Sequence, residues 1–169
     1  MLVFDATPLI YLATVERLGM VGLLGQNCVI PEPVYDEVVT VGVEAGHPDA
    51  RRVEQAVEDG VFEVRDVDES ELVRRLEGNP NLSDADASVI ALVVENDGIA
   101  ILDERYGRTT AETEGVETRG TVWIVLLLVR DGELSAEEAR EIVDEMVEAG
   151  WYCSTDLYSR IVRKLEEMG

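Results

Sequence analysis

Two short apolar runs in this chain each end on an aspartate: Leu2-Val3-Phe4 runs into Asp5, and Ile99-Ala100-Ile101-Leu102 runs into Asp103. Uninterrupted runs this short read as strands buried on both faces, the kind found in parallel sheets. Helical patterns separate them. Thr7-Pro8 opens one through Leu9, Ile10, Leu12 and Ala13, and Cys28-Val29-Ile30 is a further strand, closed by Pro31. Pro33 then starts a helix through Val34, Tyr35, Val38 and Val41. Residues 48–59 read as a surface helix, 61–67 as an alternating strand and 69–77 as another helix, before Asn79-Pro80-Asn81 breaks the pattern. Ser83 caps a helix running to about Asn96, residues 105–114 are helical, and Val116-Glu117 is a short strand. Helices at 121–130, 136–149 and 155–168 complete the chain. This alternation predicts an α/β fold: a three-layer α/β/α sandwich around a central, mainly parallel sheet with right-handed crossovers. Without a repeat or linker, the 169 residues are expected to form one domain, 1–169, with helices at about 135–168 packed on it.

The core can be built despite 30% charged residues, because 46% of the chain is hydrophobic. Net charge is −22, with 36 acidic residues against 14 basic ones, and the only lysine is Lys164. Acid excess with lysine nearly eliminated fits a halophilic source, such as an archaeon with a salt-saturated cytosol, where the Debye length falls to about 3 Å or less. The N-terminus has no basic segment ahead of its apolar stretch, and the longest apolar run, 122–129, is far short of the roughly 20 residues that span a bilayer. A cytoplasmic protein without a membrane segment is expected. Cys28 and Cys153 lack metal-type spacing and read as free thiols, and His47, the single histidine, lies in a Gly-His-Pro loop away from any triad.

The chemistry is expected among the acids. Sites in open parallel sheets form beyond the carboxyl ends of the strands, which makes Asp5 and Asp103 neighbours. Either alone could simply cap the helix that follows. Glu37 falls beside the apolar stripe set by Val34 and Val41, whereas Asp36 points away. In Leu82-Ser83-Asp84-Ala85-Asp86-Ala87, Asp86 shares a face with Val89, Ile90 and Val93, while Asp84 falls with Ser88 and Glu95. Ser83 to Asp86 also matches a capping box, which needs no function at all. Four inward-leaning acids repel one another unless a cation neutralises them, and oxygen-only ligands select Mg²⁺ or Mn²⁺ over zinc.

Asp5-Ala6-Thr7-Pro8-Leu9-Ile10 and Ile30-Pro31-Glu32-Pro33-Val34-Tyr35-Asp36-Glu37-Val38 resemble the opening of PIN-domain nucleases. Leu82-Ser83-Asp84-Ala85-Asp86-Ala87, Ile101-Leu102-Asp103-Glu104-Arg105, Gly120-Thr121 and Ala149-Gly150-Trp151-Tyr152 extend the likeness over nearly the whole chain. The resemblance implies a Mg²⁺ or Mn²⁺ site and endoribonuclease activity on single-stranded RNA, as in the VapC-type toxins of toxin-antitoxin pairs, with an antitoxin as partner and a homodimer as assembly. By matching positions it implies Asp5, Glu37, Asp86 and Asp103 as the acidic quartet, Asp5 and Asp103 as direct ligands, and Thr7 as a nearby hydroxyl. Glu104 beside Asp103 and Asp84 beside Asp86 are alternative ligands. Arg105, Arg108 and Arg119 are candidates for phosphate contact.

Rival chemistries fit less well. A haloacid-dehalogenase-type phosphatase or a receiver domain also begins with a strand and an aspartate, but both need a lysine near the site, and Lys164 is far along the chain. A catalytically inactive PIN-like scaffold that binds RNA or a partner protein is the alternative from another class. The strong negative charge opposes RNA binding through basic patches, although molar salt weakens that contribution for any protein.

Overall fold

The computed structural model describes all 169 residues. Five strands form one parallel sheet: β1 (Leu2–Phe4), β2 (Cys28–Pro31), β3 (Glu63–Arg65), β4 (Ile99–Ile101) and β5 (Glu117–Arg119), in the order β3-β2-β1-β4-β5. The expected α/β/α sandwich is the fold observed. Reversal of direction on either side of β1 makes the carboxyl edge of β1 and β4 the topological switch point, where such sheets place their ligands. Register puts Phe4 level with Ile101, and the ladder continues one step further, because the Asp5 amide donates to the Ile101 carbonyl at 3.1 Å. Asp5 thus lies opposite Leu102, and Asp103 is one residue beyond it.

Ten α-helices cover the sheet. They are α1 (Ala6–Thr14), α2 (Glu32–Tyr35), α3 (Val41–Glu44), α4 (Pro48–Glu58), α5 (Glu71–Glu77), α6 (Asp84–Asn96), α7 (Arg105–Thr113), α8 (Thr121–Arg130), α9 (Ala136–Glu148) and α10 (Thr155–Met168). A 3₁₀ segment, Leu18–Leu24, follows α1, and a π-helical turn, Asp36–Thr40, joins α2 to α3. Helix α6 lies against β2, β1 and β4 and buries Ala85, Ala87 through Val93. One hydrophobic core joins the sheet to Ile142 and Met146 of α9 and to Ile161 and Leu165 of α10. No single helix is long and apolar enough to cross a membrane.

Three local expectations needed correction. The strand read at 61–67 pairs only over Glu63–Arg65, and the one read at Val116-Glu117 runs instead over Glu117–Arg119. Both are edge strands with a single neighbour, so polar, half-exposed residues enter them by laddering and apolar pattern does not mark their limits. The stripe drawn from Val34 to Val41 fails at its far end, since Val41 is 60% exposed. The π turn is the cause. The Val41 amide donates to the carbonyl of Asp36, five residues back, and Val38 and Val39 turn inward instead. Gly42 then passes so close to α4 that a Cβ there would lie 2.7 Å from the Ala50 methyl.

Candidate active site

Asp5 is the buried centre of the site, at 5% exposure. It occupies the N-cap position of α1, yet its carboxylate makes no cap hydrogen bond to the following turn, so capping does not account for it. Burial pushes its pKa from the ordinary 3.8 up to about 7. The negative charge of Asp86 adds to the rise, the Ala6 amide opposes it, and Glu37 and Asp103 add smaller increments. Each of these acids comes from a different segment: the start of α6, the π turn and the end of β4.

Asp103 is half-buried and held from α8 and from the turn after α9. Its Oδ1 accepts from the Thr121 amide at 2.7 Å, and its Oδ2 accepts from the Thr121 hydroxyl at 2.5 Å and the Trp151 indole N–H at 3.0 Å. A carboxylate offers about four lone-pair positions, so three of them fix this side chain and about one stays free. Glu104 is used otherwise: it caps α7, accepting from the Gly107 amide at 2.8 Å, and it is absent from the charges that perturb Asp5. Local structure thereby separates two adjacent acids that are equivalent by pattern.

Asp86 keeps both of its readings. Its Oδ2 accepts from the Ser83 amide at 3.2 Å and the Ser83 hydroxyl at 2.8 Å, closing a capping box in which the Asp86 amide donates back to Ser83 Oγ. Its Oδ1 faces α7, where a Cβ at Gly107 would sit 3.5 Å away. Asp84 is exposed. Glu37 is also exposed, and the π turn carries it close enough to Asp5 for its charge to be felt there.

Thr7, Tyr11, Asp103, Arg105, Trp151 and Tyr152 line a cleft of about 470 Å³ beside the acids. Arg105 is exposed on its rim and takes part in no ion pair; Arg108 is half-buried near Gly120 and is likewise unpaired. Arg119 is engaged elsewhere. It pairs with Glu117 at 2.6 Å, donates to the Thr118 carbonyl and stacks 5.8 Å from the Trp123 ring centre. Sequence reasoning gave Trp151 and Thr121 no part in the site. The available signal was that a buried indole N–H needs an acceptor.

No three of the carboxyl groups converge closely enough to enclose an ion by themselves. That does not exclude a hard cation, because Mg²⁺ keeps several of its waters and is commonly held by one or two carboxylates. The donor set fits such an ion: all oxygen, no histidine or thiol, and a buried acid whose charge is opposed by three others and matched by no cation. A family model described as "DUF3368: PIN domain" matches residues 1–167. No curated protein matches the chain.

Proposed function

Because this chain belongs to the PIN-domain family, whose members are generally nucleases that use divalent metals, we propose that it is a metal-dependent endoribonuclease hydrolysing phosphodiester bonds of single-stranded RNA. The observation that carries the reading is the state of Asp5, buried at a sheet's carboxyl edge and raised to about 7 with three acids from other elements adding to the rise. Asp5 and Asp103 would hold Mg²⁺ or Mn²⁺ directly, with Glu37 and Asp86 as ligands or as groups that orient water around it. When bound, the ion supplies Lewis acidity toward both water and the phosphate.

The chain's own residues set the rest of the chemistry. Thr121 and Trp151 hold Asp103 in one orientation, so its remaining lone pair is aimed before any ligand arrives. Ser83 does the same for Asp86 through Oδ2, leaving Oδ1 without a hydrogen bond to Ser83. Glu37, which is exposed, would orient a water that enters from solvent. Arg105 and Arg108, unpaired within the protein, supply the positive charge that draws the RNA phosphates to an otherwise acidic edge.

The test is cleavage of labelled single-stranded RNA by purified protein in molar KCl with Mn²⁺ or Mg²⁺. Cutting is expected with either ion, and Asp5→Asn abolishes it. Normal cutting by that variant would remove Asp5 from the site, and binding without cutting by the wild type would favour an inactive scaffold. A toxin role extends the same reading, with growth arrest on expression of the wild type and none with Asp5→Asn.

A further inference from the structure

Tyr152 is 86% exposed, the most exposed of the large hydrophobic side chains in the chain. It lies in the wall of the cleft that also contains Asp103 and Arg105. The chain on either side of it is anchored at Gly150, Trp151 and Ser154. Gly150 turns the chain out of α9 with a φ of +102°, and its carbonyl accepts from the Tyr11 hydroxyl at 3.1 Å. The Trp151 amide donates to the Met146 carbonyl at 2.9 Å, and its indole donates to Asp103. On the far side Ser154 caps α10 through the Leu157 amide at 3.1 Å. A largely exposed aromatic ring thus stands between anchored neighbours, one residue from a side chain bonded to an acid of the site. Core packing accounts for Trp151, which is buried, and does not account for Tyr152.

We propose that Tyr152 is a stacking platform for one unpaired base of the RNA, with Arg105 contacting the adjoining phosphate, so that the turn at 150–152 sets the preference for single strands. The proposal rests on the nuclease reading for its ligand. Two features of the cleft match a nucleotide: a flat ring that accepts any base face and an unpaired guanidinium for a phosphate oxygen. A base inside a duplex is already stacked on both faces and gains nothing from the ring. Because hydrogen bonds at Gly150, Trp151 and Ser154 already hold the flanking chain, the ordering cost of the contact falls mainly on the Tyr152 side chain.

The experiment measures binding of a fluorescently labelled single-stranded oligoribonucleotide to the full chain carrying Asp5→Asn, by anisotropy in KCl with Mn²⁺, so that cutting does not intervene. Adding Tyr152→Ala is expected to weaken binding about 5- to 150-fold, the range for loss of one stacked base. Tyr152→Phe and Tyr152→Trp restore it, and a duplex of the same sequence responds to none of these changes. Unchanged binding by Tyr152→Ala, a loss in Tyr152→Phe as large as in the alanine variant, an equal loss for the duplex, or no binding of single-stranded RNA at all overturns the proposal. The two readings fail separately. If the wild type never cuts but Tyr152-dependent binding persists, the nuclease reading falls and the subsite stands; if it cuts and Tyr152→Ala binds unchanged, the reverse holds.

Discussion

Helices α6 and α9 begin in the same way. Ser83 and Asp86 close a capping box on one, Ser135 and Glu138 on the other, with matching hydrogen bonds from serine amide and hydroxyl to the acid and from the acid's amide back to serine. Their surroundings differ. Glu138 is exposed, its pKa is lowered mainly by the bonds from Ser135, and Arg17 lies near enough to assist. Asp86 is half-buried and its charge bears on Asp5. One motif therefore does the same local work twice, and only where the helix begins relative to the sheet's carboxyl edge decides whether the acid also joins a site.

The largest expected effect concerns the burial of Asp5, and the acids around it, at the α6 end. The Asp5 carboxyl holds its proton up to about pH 7 when folded and about 3.8 when unfolded. Between those values the native state binds more protons than the unfolded state, so stability falls as pH rises through the window and the full cost is present above about 7. Asp5→Asn removes that cost. Without divalent cations the variant is expected to be more stable than the wild type at pH 8, by on the order of 4 kcal/mol, with the gap closing toward pH 4. Denaturant melts at the two pH values measure this, and a gap independent of pH would show that neither burial nor the neighbouring acids raise the Asp5 carboxyl.

Next comes the division between the two capped acids. Asp86→Asn is expected to lower Mn²⁺-dependent cleavage about 10- to 100-fold, the usual cost of disturbing a group that supports a metal site, while Glu138→Gln leaves the rate within about twofold on the same reasoning. Equal rates for both variants would reduce Asp86 to a cap. The smallest effect is shared: Ser83→Ala and Ser135→Ala should each cost about 1 kcal/mol of stability as lost caps. Only Ser83→Ala should also slow cleavage, because it releases the carboxylate of Asp86.

Most of the architecture was legible because apolar runs ending on Asp5 and Asp103 carry both the strand limits and the switch point. Edge strands were less so, since Glu63–Arg65 and Glu117–Arg119 are polar segments recruited by a neighbour. Among the site residues, pattern left Asp103 and Glu104 equivalent. The distinction comes from a tryptophan 48 residues downstream and a helix start 18 residues downstream, contacts that no local periodicity encodes. Glu37 was placed beside an apolar stripe for a reason that only half holds, because helical periodicity assumes a ladder of constant step and the turn at 36–40 departs from it.

That departure has a consequence for how the segment tolerates change. A π turn accommodates one residue more than the α-helix around it, and single-turn bulges of this kind recur at functional sites. Removing one residue between Asp36 and Thr40 would let the flanking helices fuse into a continuous α-helix. The shortened chain would gain regularity, yet Glu37 or whatever replaced it would swing to a new azimuth, and Gly42 would lose its seat against Ala50. Length in this stretch is therefore fixed as tightly as identity, and a one-residue deletion should be worse tolerated than most substitutions within it.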